Sequence, residues 1–263
     1  MSTSSQLMGF QRSNGRWGFR NYILLLPLHN ALNQQVDTAR LTHPAFNVLT
    51  SVAHDWSGEV DDDWSRISRV FSGFAINPNV SATIFVGIGN PAEEEIVQNA
   101  RARREMPIAY LTLKECGSFE KLQHLLASSI SEVFPLVASQ KRTSAPWSAM
   151  VLGLECGGSD AYSGITANPA LGVASDRLVE LGSASVLGET TEILGAEHLL
   201  AARAITPEIG AQIIETVARY ERSINYEGID MRGAQPSRGN IEGGLTTLEE
   251  KSLGAAKKAG NAQ

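Results

Sequence analysis

The chain has 263 residues, 43% of them hydrophobic and 19% charged, with a net charge of −6. That is enough for one large domain or two small ones of ordinary globular composition. The negative balance argues against a nucleic-acid surface, which needs clustered Lys and Arg, yet a few local arginines suffice for an anionic substrate.

Only two cysteines occur, Cys116 and Cys156. A disulfide scaffold is excluded and a reducing, cytoplasmic compartment is the simplest expectation. The N-terminus is polar and Ser-rich and does not read as a signal peptide. The longest apolar run, residues 22–28, is far too short to span a bilayer, so no membrane association is expected.

In chain order, Arg12, Arg16 and Arg20 come first, with Arg20 taken as a candidate for binding a substrate carboxylate. Residues 22–28 read as a buried strand, followed by a polar loop with His29. A second loop carries His54. A lone loop histidine is more often structural than a ligand. Residues 64–76 carry Ile67, Val70, Phe71 and Phe74 at helical intervals. Residues 82–88 form the next strand, and GIGNP after it fits a helix start at Pro91 better than a phosphate loop. Residues 92–105 open with glutamates and close with arginines, which suits a helix dipole. A strand over 108–113 and a helix over 118–134 follow.

The polar stretch SQKRTSAP suggests a break, giving lobes 1–143 and 144–263. The second lobe has strands over 149–154 and 184–187 and a helix over 207–226, opened by Thr206-Pro207-Glu208. After Gly228 the composition turns to Gly, Pro, Ser and Asn, and a flexible tail is expected from about residue 255. Strands alternating with helices predict an α/β fold with mainly parallel sheet flanked by helices. Whether this is one sheet or two similar lobes stays open.

Ligands of parallel α/β proteins bind beyond the carboxyl ends of the strands. Two loops there concentrate chemistry. Glu155 to Asp160 combines Cys156, Ser159 and Asp160 with Gly157 and Gly158, which permit positive φ or a close backbone approach. Ser163 to Pro169 adds Thr166 and Asn168 on a turn leading into a helix, where N–H groups hold anions. The plain alternative is a tight turn whose Asp and Ser cap a helix. The other loop holds Glu189 and Glu192, with Glu189 just past a strand end, where a base or metal ligand is useful. Glu197 and His198 read as a solvated helix face.

The string GLECGGSDAYSGITANPALG, residues 153–172, closely resembles the signature of the altronate and galactarate dehydratases, and the sulfolactate sulfo-lyase large subunit is similar. GFQRSNGRWGFRNYILLLP, GETTEILGAEHLL and PSRGNIEGGLTTLEEKSLGA also fit, so the likeness covers about residues 9–254. The resemblance implies a cytoplasmic hydro-lyase taking water from a 2,3-dihydroxy sugar acid to give a 2-keto-3-deoxy acid. It also implies a divalent metal, Fe2+ in kind. A base must take the proton α to the carboxylate, and an acid or metal must assist loss of the β-hydroxyl.

On this reading Asp160, Glu189, Ser159 and Glu192 are catalytic candidates, Gly157, Gly158, Thr166, Asn168 and Arg20 bind substrate, and Cys156, His54 and His29 are metal candidates. The family's cysteines after the first two strands and in a His-x-x-Gly-Cys segment are replaced here by His29-Asn30, Gly89-Asn90-Pro91 and the segment from His54 to Glu59. That favours a rival reading, a non-catalytic sugar-acid-binding or partner subunit. A third is a lyase expelling another group, such as sulfite. The chain is also expected to lack the family's small N-terminal and large C-terminal domains, supplied by another polypeptide in a homo- or hetero-oligomer.

Overall fold

A computed structural model describes residues 6–225, 228, 230 and 232–262. The chain divides into two compact units, Met1–Ala145 and Pro146–Gln263.

Unit 1 opens with β1 (Met8–Gln11) and β2 (Trp17–Gly18), a small antiparallel hairpin. Next come β3 (Tyr22–Pro27), α1 (Asn33–Thr42), β4 (Leu49–Ser51), α2 (Trp64–Ala75), β5 (Val80–Gly87), α3 (Pro91–Arg103) and β6 (Ile108–Thr112). It ends with α4 (Leu113–Cys116), α5 (Phe119–Ala138) and β7 (Thr143–Ser144), and β7 returns to pair with β1. The main sheet is parallel in the order β4-β3-β5-β6.

The apolar runs of β3 and β5 follow from this order, because central strands are covered on both faces. Successive side chains alternate between faces. Ile23, Leu25, Ile84 and Val86 pack with Val36 of α1 and Leu122, Leu126 and Ile130 of α5. Leu24, Leu26 and Phe85 pack with Phe71 and Ala75 of α2 and Ile96, Val97 and Ala100 of α3. The chain leaves β3 for β4 on one side and returns to β5 on the other. The topological switch point therefore lies between the carboxyl ends of β3 and β5.

Unit 2 contains β8 (Val151–Leu154), α6 (Ala167–Glu180), β9 (Ala184–Leu187), α7 (Glu197–Ala201), α8 (Pro207–Asn225), α9 (Arg238–Glu242) and α10 (Leu248–Lys257). Strands β8 and β9 are parallel neighbours joined through α6. The expected helix end at 226 lies outside the described residues. Ile193, Leu194, Val217 and Ala255 form a small core, with Leu187 and Leu200 against it.

The expectation of a flexible tail from about residue 255 is corrected. Ala255, Ala256 and Lys258 are buried, and the Asn261 and Ala262 N–H groups donate to Asp176 Oδ1. Polar, glycine-rich composition signalled looseness, but the glycines serve close packing. A Cβ on Gly172 would lie 2.2 Å from the Lys257 carbonyl, and Gly164 meets the Gly254 backbone. Among the described residues no helix is long and apolar enough to cross a membrane.

Candidate functional site

At the switch point of unit 1, the protein fills its own anion seat. The Ile88, Gly89 and Asn90 N–H groups donate to the Glu93 carboxylate at 2.9–3.0 Å, and Tyr110 adds its hydroxyl at 2.8 Å. Asn90 and Glu93 form a capping box at the start of α3. Glu93 is fully buried. Burial pushes the Tyr110 phenol upward, and the hydrogen bond to Glu93 adds to it.

Residues 54–58 line this end as well. Asn30 N–H donates to the Trp56 carbonyl, Asn33 to the His54 carbonyl, and Asn90 to the Gly58 carbonyl. His29 accepts from Ala31 N–H through Nδ1 and thereby caps a single 3-10 turn, Asn30–Leu32. Its Nε2 is uncommitted among the described residues.

The metal role expected of His54 is corrected. Its Nδ1 accepts from Trp56 N–H and its Nε2 meets the Pro27 carbonyl, so neither ring nitrogen offers a lone pair to a cation. Burial holds its pKa below the ordinary histidine value. Arg20 also departs from expectation. It precedes β3, at the amino end of the parallel sheet, and its carbonyl accepts from Arg12 while its side chain is exposed. Within unit 1 it is remote from the loops where parallel sheets bind ligands.

In unit 2 the two informative loops leave adjacent strands. Gly188 N–H donates to the Leu154 carbonyl, so the segments after β8 and β9 start side by side. Glu189 is 2% exposed. Its Oε1 accepts from Lys258 Nζ at 2.5 Å, and its Oε2 is buried with no partner among the described residues. Burial raises its pKa, Lys258 pulls it back, and nearby Glu192 and Glu155 raise it further. Beside it, Lys251 pairs with Glu192 and donates to Asn240 Oδ1 at 2.8 Å, while Asn240 Nδ2 donates to the Ser159 carbonyl. Lys251 and Lys258 are 6% and 3% exposed.

The other expected residues divide. Cys156 Sγ and Ser159 Oγ are 2.9 Å apart. Asp160 is exposed and its Oδ1 accepts from the Tyr162 and Ser163 N–H groups and the Ser163 hydroxyl. The Tyr162 N–H, then the Ser163 hydroxyl and N–H, hold its pKa below the ordinary value. It is a turn cap and, kept ionised, a weak base. Gly157 and Gly158 do not use positive φ, and a Cβ on either would meet open space. Thr166 is exposed and bonds back to the Tyr162 carbonyl. Asn168 is buried and donates to the Gly254 carbonyl, tying the motif to α10. Glu197 accepts from Gly195 N–H, a local contact.

Lys251, Lys258 and Asn240 do not stand out in the sequence. One signal is present. Lys251 and Lys258 are seven residues apart, about two helical turns and hence one face. The residues between them on that face, Gly254 and Ala255, are small and buried.

Within neither unit do three His, Cys, Asp or Glu side chains gather for one ion among the described residues. The unpartnered Glu189 Oε2 and the free His29 Nε2 are suitable atoms taken singly.

Two parallel α/β units with a buried Glu–Lys couple beyond the strands of the second describe a binding or catalytic α/β protein, and sequence comparison gives it a family. Residues 9–136 match the model described as D-galactarate dehydratase/altronate hydrolase, second domain, and residues 147–263 match that described as D-galactarate/altronate dehydratase, C-terminal. The chain belongs to this dehydratase family. The half expected to end short of the family's C-terminal domain thus matches the model of that domain.

Among relatives, the chain is 34% identical over 258 residues to the (2R)-sulfolactate sulfo-lyase subunit beta of Chromohalobacter salexigens, covering 96% of this chain and 64% of that one. It is 30% identical over 260 residues to the altronate dehydratase of Bacillus subtilis, covering 96% and 52%. It is 34% identical over 201 residues to the galactarate dehydratase (L-threo-forming) of Escherichia coli, covering 73% and 38%. The chain therefore spans only part of the length of each.

Proposed function

We propose that this chain is a sugar-acid dehydratase-like lyase, or one part of such an enzyme, with Glu189 and Lys258 at the centre of its proton transfers. The observation that carries the reading is the Glu189 carboxylate: buried, shifted upward in pKa, and with one oxygen unpartnered among the described residues at a strand carboxyl end. A carboxylate whose pKa is raised in this way is a stronger base than an ordinary glutamate. In the reaction, a base removes the proton on the carbon bearing the carboxylate and the hydroxyl on the next carbon leaves, protonated, as water. The resulting enol becomes a 2-keto-3-deoxy acid.

Glu189 Oε2 receives the first proton. Lys258 holds the carboxylate in place and balances its charge. Lys251, paired with Glu192 and locked by Asn240, supplies positive charge for the substrate carboxylate. Ser159 and Cys156 line the neighbouring loop, and Asn168 fixes that loop against α10. A divalent metal, Fe2+ on the family resemblance, would polarise the leaving hydroxyl. His29 and Cys156 remain candidates for it on that resemblance alone. A cytoplasmic location and assembly with further chains or domains of the enzyme are part of the proposal.

The test is an anaerobic assay of the chain, with iron added, on a panel of hexonates and hexarates, scoring 2-keto-3-deoxy product. Glu189→Gln is expected to lower kcat/KM by at least about 100-fold, the scale of a lost general base, and Glu197→Gln by less than about 2-fold. No product from any sugar acid, or equal effects of the two variants, would remove the assignment. Sulfite released from (2R)-sulfolactate in place of keto acid would transfer the site to the sulfo-lyase reaction.

A further inference from the structure

The amino edge of the unit 1 sheet holds a different polar pocket, of about 270 Å³, built from unit 1 residues alone. Its walls include Arg12, Arg104, Ser81, Gln140 and Lys141. Arg12 and Arg104 are 9% and 5% exposed. Arg12 donates to the Pro78 and Arg20 carbonyls, to Ser81 and to Gln140. Arg104 donates to the Ile76, Asn77 and Val80 carbonyls.

Every one of these acceptors is neutral. Among the described residues neither guanidinium lies within ion-pairing distance of a carboxylate. The carbonyls following α2 carry partial negative charge and satisfy N–H groups, but they do not balance two full cations. Burial, and then repulsion from Arg12 and Arg16, bring Arg104 down to about 10, which still leaves it charged at neutral pH. Buried charges are ordinarily paired. Here Lys141 at the exposed rim adds a third positive charge. The acidic residue of the wall, Glu105, is exposed, and its carbonyl is taken by Ser13.

We propose that this pocket binds a small multivalent oxyanion, of the phosphate or polycarboxylate class, whose charge completes the Arg12–Arg104 pair. Arg104 keeps its Nε–H without a protein acceptor among the described residues, and Lys141 and Ser13 stand at the opening. The site is independent of the proposed lyase chemistry and needs no substrate turnover to detect.

Isothermal titration of the full chain with inorganic phosphate, and separately with citrate, in low-chloride buffer tests it. Saturable binding of one equivalent of either anion is expected, and the anion that binds more tightly identifies the class. Lys141→Glu, an exposed change that spares the fold, should weaken binding at least about 10-fold, as expected when attraction becomes repulsion at a partly desolvated site. Arg104→Lys should weaken it too, and Glu189→Gln should leave it unchanged. Absence of saturable binding of both anions would overturn the proposal. So would binding that is indifferent to Lys141→Glu, or that is lost in Glu189→Gln.

Discussion

Glu93 in unit 1 and Glu189 in unit 2 are both buried glutamates beyond the carboxyl ends of parallel strands, yet they are used in opposite ways. Glu93 is saturated by three local N–H groups and a phenol. All of them come from its own strand–loop–helix step or the neighbouring strand. Glu189 is held on one oxygen by a lysine 69 residues away and has no partner on the other among the described residues. The same placement in a fold can be spent on closing a loop or kept in reserve for a ligand. What separates the two is whether the partners are local and complete. In unit 1 the anion-binding capacity of the helix start is internally used up. In unit 2 charge is brought in from a distant helix and left partly unanswered.

The largest effect should come from breaking the distant pair. Lys258→Ala strands a buried carboxylate and should cost about 3–5 kcal/mol at neutral pH, read by urea unfolding. The deficit should shrink as the pH falls, because a protonated Glu189 no longer needs the ammonium. The sign follows from the raised pKa of Glu189. The folded chain holds that proton more tightly than the unfolded chain, so the wild type loses stability as pH rises from the ordinary glutamate value through the raised one. Glu189→Gln should abolish that slope. A deficit in Lys258→Ala that does not change with pH would mean that Lys258 serves packing alone.

A smaller effect is expected of the local seat. Glu93→Gln keeps one acceptor but turns an amide N–H2 toward donors, and should cost about 2–3 kcal/mol. Once folded it should leave turnover unchanged, whereas Lys258→Ala should not. Equal loss of turnover in both would erase the contrast between the two glutamates.

Much of the fold was legible. The five main strands and four long helices stand out because their apolar residues run together or repeat with the helical period, although Val151 of β8 and Val186 of β9 are exposed. Strand β4 and helix α1 did not stand out, since β4 has three residues and α1 buries only Val36 and Ala39. The motif from Gly153 to Gly172 drew attention to the right lobe, but for a mixture of reasons. Gly164, Asn168 and Gly172 explain themselves by packing on the C-terminal segment, through close backbone approach and one hydrogen bond. Glu189 was legible as a polar group at a strand end. Its partner was not, because a contact across 69 residues leaves no local periodicity, and the tail that supplies Lys258 reads as loose from composition. Likewise nothing in the run from His54 to Glu59 reveals that both imidazole nitrogens of His54 meet backbone groups.

Asp160 gives the sharpest discrimination at the smallest size of effect. From sequence alone it ranks with Glu189 as a catalytic carboxylate. In the fold its Oδ1 accepts three local hydrogen bonds, and its lowered pKa makes it the reverse of Glu189. An asparagine retains an Oδ1 acceptor for the same turn. Asp160→Asn should therefore change kcat/KM by less than about 10-fold, below the usual range for a lost general base. Its signature should lie in pH dependence instead. A depressed carboxyl adds stability above its unfolded-state pKa and loses it as pH falls through the folded value. Acid unfolding of the wild type should carry that loss, and the variant should not. A loss of turnover in Asp160→Asn as large as that in Glu189→Gln would return Asp160 to the chemistry and demote the buried pair to scaffold.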